Sequence, residues 1–192
     1  MPSLTALSSA CFAILLVGAC QELPHQPRGH DVQVLSAQQL EQANPSDVAI
    51  GPVRLADPGL RVPERELRIA FQRALLQRRY TPLALEAVDQ RTIDASYRAG
   101  ELREDALLEI TVERWDMSLW NVSEQIESAL LVRMIDARDP DQVLWEGRLT
   151  RVLHGYEVNG SQSGEAVVLQ GLCDLLAGDL LAALPARKVA AE

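Results

Sequence analysis

The chain has 192 residues, a formal net charge of −9, 47% hydrophobic residues and 23% charged ones. That balance excludes a disordered tail, and it excludes a partner such as nucleic acid or anionic lipid held by bulk electrostatics. Once an N-terminal signal is removed, about 170 residues remain, enough for one domain with a real core.

Residues 1–19 carry no charged side chain, and Ala10-Cys11-Phe12-Ala13-Ile14-Leu15-Leu16-Val17 is an apolar run too short to span a bilayer. Small residues follow at once, and Leu16-Val17-Gly18-Ala19-Cys20 has the form of a lipobox. The small residues let an extended backbone lie in a peptidase groove, and the Cys20 thiol takes a thioether-linked diacylglycerol. No Lys or Arg precedes the run, so the Met1 amine is the sole positive charge there. The expectation is a signal peptide over 1–19, a lipid on Cys20 and no other cofactor. An ordinary secretory signal or a buried apolar strand are the rival readings. By the sorting pattern of such lipoproteins, Gln21 in place of Asp directs the protein to the periplasmic face of the outer membrane. Cys11 leaves with the signal, so Cys173 stands alone without a disulfide partner. Its neighbours Leu169, Leu172, Leu176 and Leu180 mark it as a small buried hydrophobe.

Residues 20–46 read as the lipidated cysteine and a flexible linker, with Pro24, Pro27, Gly29, Pro45 and a Gln-rich stretch. Asp31-Val32-Gln33-Val34-Leu35 within it has the look of a stray edge strand. The folded domain is expected over 47–185. Its first strand is Val48-Ala49-Ile50-Gly51-Pro52-Val53-Arg54-Leu55, placed near an edge or a bulge by Pro52. A helix over 63–79 follows, with Pro63 at its first position, Glu64 and Glu66 in its first turn and Arg78 and Arg79 in its last. Leu67, Ala70, Phe71, Ala74 and Leu75 form its core stripe. Ile69 and Leu76 lie off that stripe, either covered by a neighbouring loop or in contact with a partner or a second copy. After the extended Tyr80-Thr81-Pro82-Leu83, a second helix is read over 85–98, with Val88, Ile93 and Tyr97 on one side and Gly100 as its stop.

From Asp105 the pattern changes to period two. Leu108, Ile110 and Val112 face one way, and Glu109, Thr111 and Glu113 the other. Trp115, Met117 and Leu119 continue with the apolar parity switched, which calls for a bulge near Arg114. A turn at 121–123, a strand carrying Ile126, Leu130, Val132 and Met134, a turn at 138–141 and the strand Val143-Leu144-Trp145-Glu146-Gly147-Arg148-Leu149 complete a meander. Residues 154–164 read as a polar loop. A last helix, capped by Ser163, runs to Leu184 with Leu169, Cys173, Leu176, Leu180 and Leu184 on one face, and 186–192 form a loose tail. The fold class is α/β (α+β): a single domain with a mixed, mostly antiparallel sheet of four to five strands packed by two to three helices.

This layout behind a lipobox resembles a group of periplasmic lipoprotein domains of the TolB N-terminal, curli-secretion and penicillin-binding-protein-activator type, which includes the auxiliary lipoproteins of envelope ABC transporters. The resemblance rests on Ala49-Ile50-Gly51-Pro52-Val53, Arg79-Tyr80-Thr81-Pro82-Leu83, Asp105-Ala106-Leu107-Leu108-Glu109-Ile110-Thr111-Val112 and Val143-Leu144-Trp145-Glu146-Gly147. It covers roughly residues 46–184. It implies an α/β domain that docks onto another envelope protein, with Trp145 filling the core and Gly147 allowing a bulge.

No catalytic pattern stands out: GxSxG, HExxH, P-loop and dinucleotide fingerprints are absent from the sequence. His25 and His30 fall in the linker, and His154 ends a strand. Asp136, Asp139 and Asp141 are interrupted by Pro140 and read as turn formers rather than a calcium loop. Trp115, Met117, Leu119 and Trp120 exceed what one sheet face needs; they either pack the core or form a contact patch, together with Ile69 and Leu76 the candidate partner-contact residues. The expected function is that of a non-enzymatic accessory or docking subunit of an envelope transport or assembly system, held to the membrane by its lipid, with an envelope protein partner and a homodimer as the associations to test. Regulation of a peptidoglycan synthase ranks second, because a linker of about 25 residues has a typical reach of only ~25–30 Å, short for crossing the wall. A hydrolase with an unrecognised site ranks third.

Overall fold

The computed structural model describes residues 31–92, 99–158 and 164–188. The signal peptide, Cys20, His25, His30, Ile93, Tyr97 and Ser163 lie outside the described residues.

The sheet is mixed, and seven strands contribute to it. In chain order the elements are β1 (Asp31–Ser36), α1 (Leu40–Ala43), β2 (Asp47–Ile50), β3 (Arg54–Leu55), α2 (Glu64–Gln77), β4 (Thr81–Pro82) and α3 (Leu85–Thr92). After these come β5 (Ala106–Asp116), α4 (Trp120–Ser123), β6 (Gln125–Asp136), β7 (Val143–His154), a 3-10 turn (Gly155–Glu157) and α5 (Glu165–Ala182). Across the sheet the order is β1-β7-β6-β5-β2-β4, with β3 also paired to β5. The meander β5-β6-β7 and the edge strand β1 are antiparallel, while β2, β3 and β4 join in parallel.

This is the expected α+β class, with a larger sheet than the sequence indicated. The added strand is β1. Asp31 pairs with Thr150 and Val34 with Gly147, so the segment read as a linker already belongs to the domain from Asp31 onward. The first predicted strand is split in two. Gly51 still donates its N–H to the Leu108 carbonyl of β5, and the ladder is interrupted at Pro52, which has no N–H to give, before β3 resumes it.

Period two organises the meander as expected. Leu108, Ile110, Val112, Leu130, Val132, Met134, Trp145, Leu149 and Leu153 are buried on one face. The bulge predicted near Arg114 is at Glu113: Val112 pairs with Leu130, Arg114 with Ala129. Trp115 is thereby turned back onto the core face opposite Ser128. Gly147 is not itself an extra residue, but a bulge lies opposite it: Val34 pairs with Gly147 and Ser36 with Glu146, leaving Leu35 as the extra residue of β1. The extra residue in β7 is Leu144, because Met134 pairs with Trp145 and Ile135 with Val143.

α2 and α5 run side by side over that face. Leu67, Ala70, Phe71, Ala74 and Leu75 of α2 and Leu172, Cys173, Leu176, Ala177, Leu180 and Leu181 of α5 are buried, as their helical spacing requires. The helices run in the same direction: Gln170 Nε2 donates to the Glu66 carbonyl, and Arg78 Nη2 to the Ala182 carbonyl. The opposite face of the meander is laid with cross-strand ion pairs: Arg133–Glu146 at 3.3 Å, Arg148–Glu113 at 2.8 Å, Arg114–Glu127 at 3.3 Å and Arg54–Glu109 at 2.6 Å. Toward β2 that parity is covered as well: Ala49 of β2 and Val88 of α3, which contacts β2, are both fully buried. Ala186–Lys188, read as the start of a loose tail, is tied down instead. The Arg187 N–H donates to the Arg78 carbonyl, and Lys188 exchanges hydrogen bonds with the Asn44 side chain.

Candidate interaction surfaces

The candidate contact residues fall at two separate places. Trp115, Met117, Leu119 and Trp120 lie at the β5–β6 end of the sheet, where the chain leaves β5, forms the single turn α4 and re-enters as β6. The Asp116 carboxylate accepts the Ser118 N–H at 2.8 Å; that bond, with a lesser contribution from Arg114, holds its pKa below the ordinary carboxylate value. Glu124 closes the turn in a left-handed conformation with φ 51°. Of the four residues, Trp115 is 4% exposed and belongs to the core, which corrects its place in a contact patch. Met117 and Trp120 are half-buried against the core, and Leu119 is exposed. Val122, Val152, Tyr156 and Val167, four further exposed apolar residues, lie at the same end and were not singled out in the sequence.

Ile69 and Leu76 lie on the outer side of α2. Ile69 is half-buried and lines a cleft of about 580 Å³ between α2, α3 and the Gly51-Pro52-Val53 segment. Pro52, Val53 and Leu85 supply apolar wall; Glu64, Arg65, Arg68, Arg73, Glu86 and Asp89 surround them with both signs of charge. Arg68 is the fixed member. Its buried side chain donates through Nη1 to Asp89 Oδ1 at 2.6 Å and through Nη2 to the Ile50 carbonyl at 2.9 Å, bracing α2 against α3 and β2. Seven residues on, Leu76 continues the same side of the helix and is 58% exposed.

Among the described residues no group of three or more His, Cys, Asp or Glu is placed to hold a metal ion. His154 stacks on Tyr156 with ring centroids 4.8 Å apart, and its backbone N–H donates to the Glu157 carboxylate at 2.8 Å. Asp136 and Asp139 each accept a backbone N–H two residues on, the turn role read from sequence. The Cys173 thiol is pushed up to about 12, first by burial and then by the negative charge of Glu66 and Asp174, so it stays a thiol at neutral pH. No described helix is long and apolar enough to cross a membrane.

An α+β domain, with α2 and α5 packed on one face of a mixed sheet and ion pairs across the other face of its meander, is thus the class of structure present. No family model matches the chain, and no curated protein matches it. Among solved structures it is similar to the PelC dodecamer from Paraburkholderia phytofirmans, at 17% identity and a TM-score of 0.53 over 83% of this chain and 99% of that one. A variant PelC dodecamer from the same organism gives a TM-score of 0.50 at 18% identity, over 79% of this chain and 97% of that one. Lipoprotein GNA1162 from Neisseria meningitidis gives 0.49 at 16% identity, over 72% of this chain and all of that one. At these identities the likeness is one of fold.

Proposed function

We propose that the chain is a non-enzymatic accessory subunit of an envelope transport or assembly system, of the ABC-transport auxiliary type, anchored by a lipid on Cys20 to the periplasmic face of the outer membrane. Its work is to dock another envelope protein. The observation that supports this most directly is the outer side of α2: a charge-rimmed cleft at Ile69 leading to the exposed Leu76. An apolar strip bordered by Arg65, Arg73, Glu64 and Glu86 suits a protein surface of mixed charge, since the rim pairs set register while the strip is desolvated. The PelC structures that share the fold are dodecamers, so self-association belongs among the associations to measure.

The test is crosslinking and capture of the acylated protein from its own envelope. The expected result is one envelope protein recovered with the wild type and lost with Ile69→Glu and with Leu76→Glu. Recovery that both substitutions leave untouched, or turnover of a model ester or glycan by the purified chain, overturns the reading. For the anchor, Cys20→Ala is expected to abolish labelling by a fatty-acid analogue and to release a soluble domain.

A further inference from the structure

The described residues include eight large apolar side chains that are exposed, and five of them, Leu119, Val122, Val152, Tyr156 and Val167, lie at one end of the molecule. Three chain segments converge there. Leu119 and Val122 belong to α4 and its approach. Val152 and Tyr156 flank the end of β7, where Gln125 pairs with His154 and the Gly155 N–H donates to the Glu124 carbonyl. Val167 is in the first turn of α5, whose next turn carries Gly171 against Val158. Val122 is 84% exposed, Tyr156 75% and Val167 59%, so they do not serve the core.

The chain toward Cys20 leaves the fold at this same end. β1 is antiparallel to β7, with Ser36 opposite Glu146 and Asp31 opposite Thr150. Traced backwards, β1 therefore points toward His154 and the apolar end, which lies four residues, about 13 Å, beyond Thr150. Ten residues separate Cys20 from Asp31. Fully extended, those eleven Cα steps span no more than ~40 Å.

We infer that this end, centred on Val122 and Tyr156, rests on the lipid surface to which Cys20 is tethered; the inference depends on the lipid anchor proposed above. A short tether leaving toward an apolar end holds that end at the bilayer, where its side chains enter the interface at little further entropic cost. Asp116, Glu124 and Glu165 lie in the segments around the patch, and Glu127 there is paired with Arg114, so the balance of charge is negative and the surface it fits is zwitterionic rather than anionic. The opposite end carries Leu76, near the C-termini of α2 and α5, and points away from the membrane toward the proposed protein partner.

The experiment uses the acylated full chain in phosphatidylethanolamine–phosphatidylcholine vesicles, with spin labels at Val122→Cys, Tyr156→Cys and, as the far-end control, Leu76→Cys. Cys173 is buried and stays unlabelled. The same labelled proteins carrying Cys20→Ala serve as the solution reference. Expected on vesicles is a severalfold loss of accessibility to a water-soluble nickel chelate at 122 and 156, with none at 76. A chain that is acylated and floats with vesicles while 122 and 156 stay as wet as in solution overturns the membrane-facing end and leaves the anchor standing. Protection of 122 that accompanies a doubled mass without vesicles overturns it in favour of a second copy. An unmodified sulfur at Cys20 overturns both.

Discussion

The indole of Trp145 occupies the space that a side chain at Gly147 would need: a methyl added there would come within 2.6 Å of Trp145 Cζ2 and 3.2 Å of Leu180 Cδ1. Glycine is required here for room, not for backbone freedom. Gly147→Ala is expected to destabilise the domain by about 1–3 kcal/mol through overpacking, read as a lower urea midpoint at unchanged slope. In a Trp145→Phe background, where the far edge of the ring is gone, the same substitution should cost less; equal cost in both backgrounds would place the strain elsewhere.

Arg151 is the buried cation beneath α5. It sits on the core face of β7 and pairs through Nη1 with Asp179 and through Nη2 with Glu157, joining the sheet to the helix and to the 3-10 turn. Asp179→Leu strands half of that guanidinium and is expected to cost about 3 kcal/mol. The double variant Arg151→Met with Asp179→Leu removes the stranded charge and should be the more stable of the two. A double variant less stable than Asp179→Leu alone would show that the arginine is worth more than its partner.

What could be read from the sequence, and what could not, divides along the kind of signal involved. The meander and α2 follow from periodicity alone, since burial on one face writes itself as period two or as i, i+3, i+4. Even the Glu113 bulge left a trace, as a switch of apolar parity before Trp115. β1 left little, because an edge strand buries only part of one face: Val32 is half-buried while Val34 and Leu35 are exposed. The clamp on Lys188 and the pairings of β3 with β5 and of β4 with β2 are made of backbone and single side-chain bonds, which have no pattern along the chain. Ile69 and Leu76 were found because a helix shows its odd residues by spacing. Val122, Tyr156 and Val167 were missed because only the topology brings positions so far apart in the chain to one end of the sheet.

Two buried acids should make the domain alkali-sensitive, in separable windows. Burial raises the Cys173 thiol from 9.0 to about 12. The Tyr80 hydroxyl, which donates to the Pro185 carbonyl at 2.9 Å, rises from 10.0 to about 12, again chiefly by burial. Above pH 9 the unfolded chain releases the thiol proton while the folded one keeps it, so stability falls as pH rises from 9 toward 12. Tyr80 adds the same sign from pH 10 upward. Denaturant titrations should show the fall beginning later in Cys173→Ala and becoming shallower above pH 10 in Tyr80→Phe. At pH 8.5 the native thiol should also resist iodoacetamide and react once the chain is unfolded in urea. Rapid alkylation of the folded protein would contradict the burial on which both windows rest.

The two sides of α2 give the sharpest separation of folding from docking. Leu67 is fully buried on the same core-facing stripe of α2 as Phe71 and Leu75, whereas Leu76 is largely exposed on the outer side. Leu67→Ala removes packed methyl groups from a core that cannot close over them and should cost about 2–5 kcal/mol. Leu76→Glu changes only solvated surface, so its effect on stability should stay within about 0.5 kcal/mol. If docking uses the outer side, the ranking reverses for partner capture measured below the melting temperature: Leu67→Ala retains the partner and Leu76→Glu loses it. Loss of capture in proportion to lost stability across both variants would mean that the outer side of α2 carries no contact of its own.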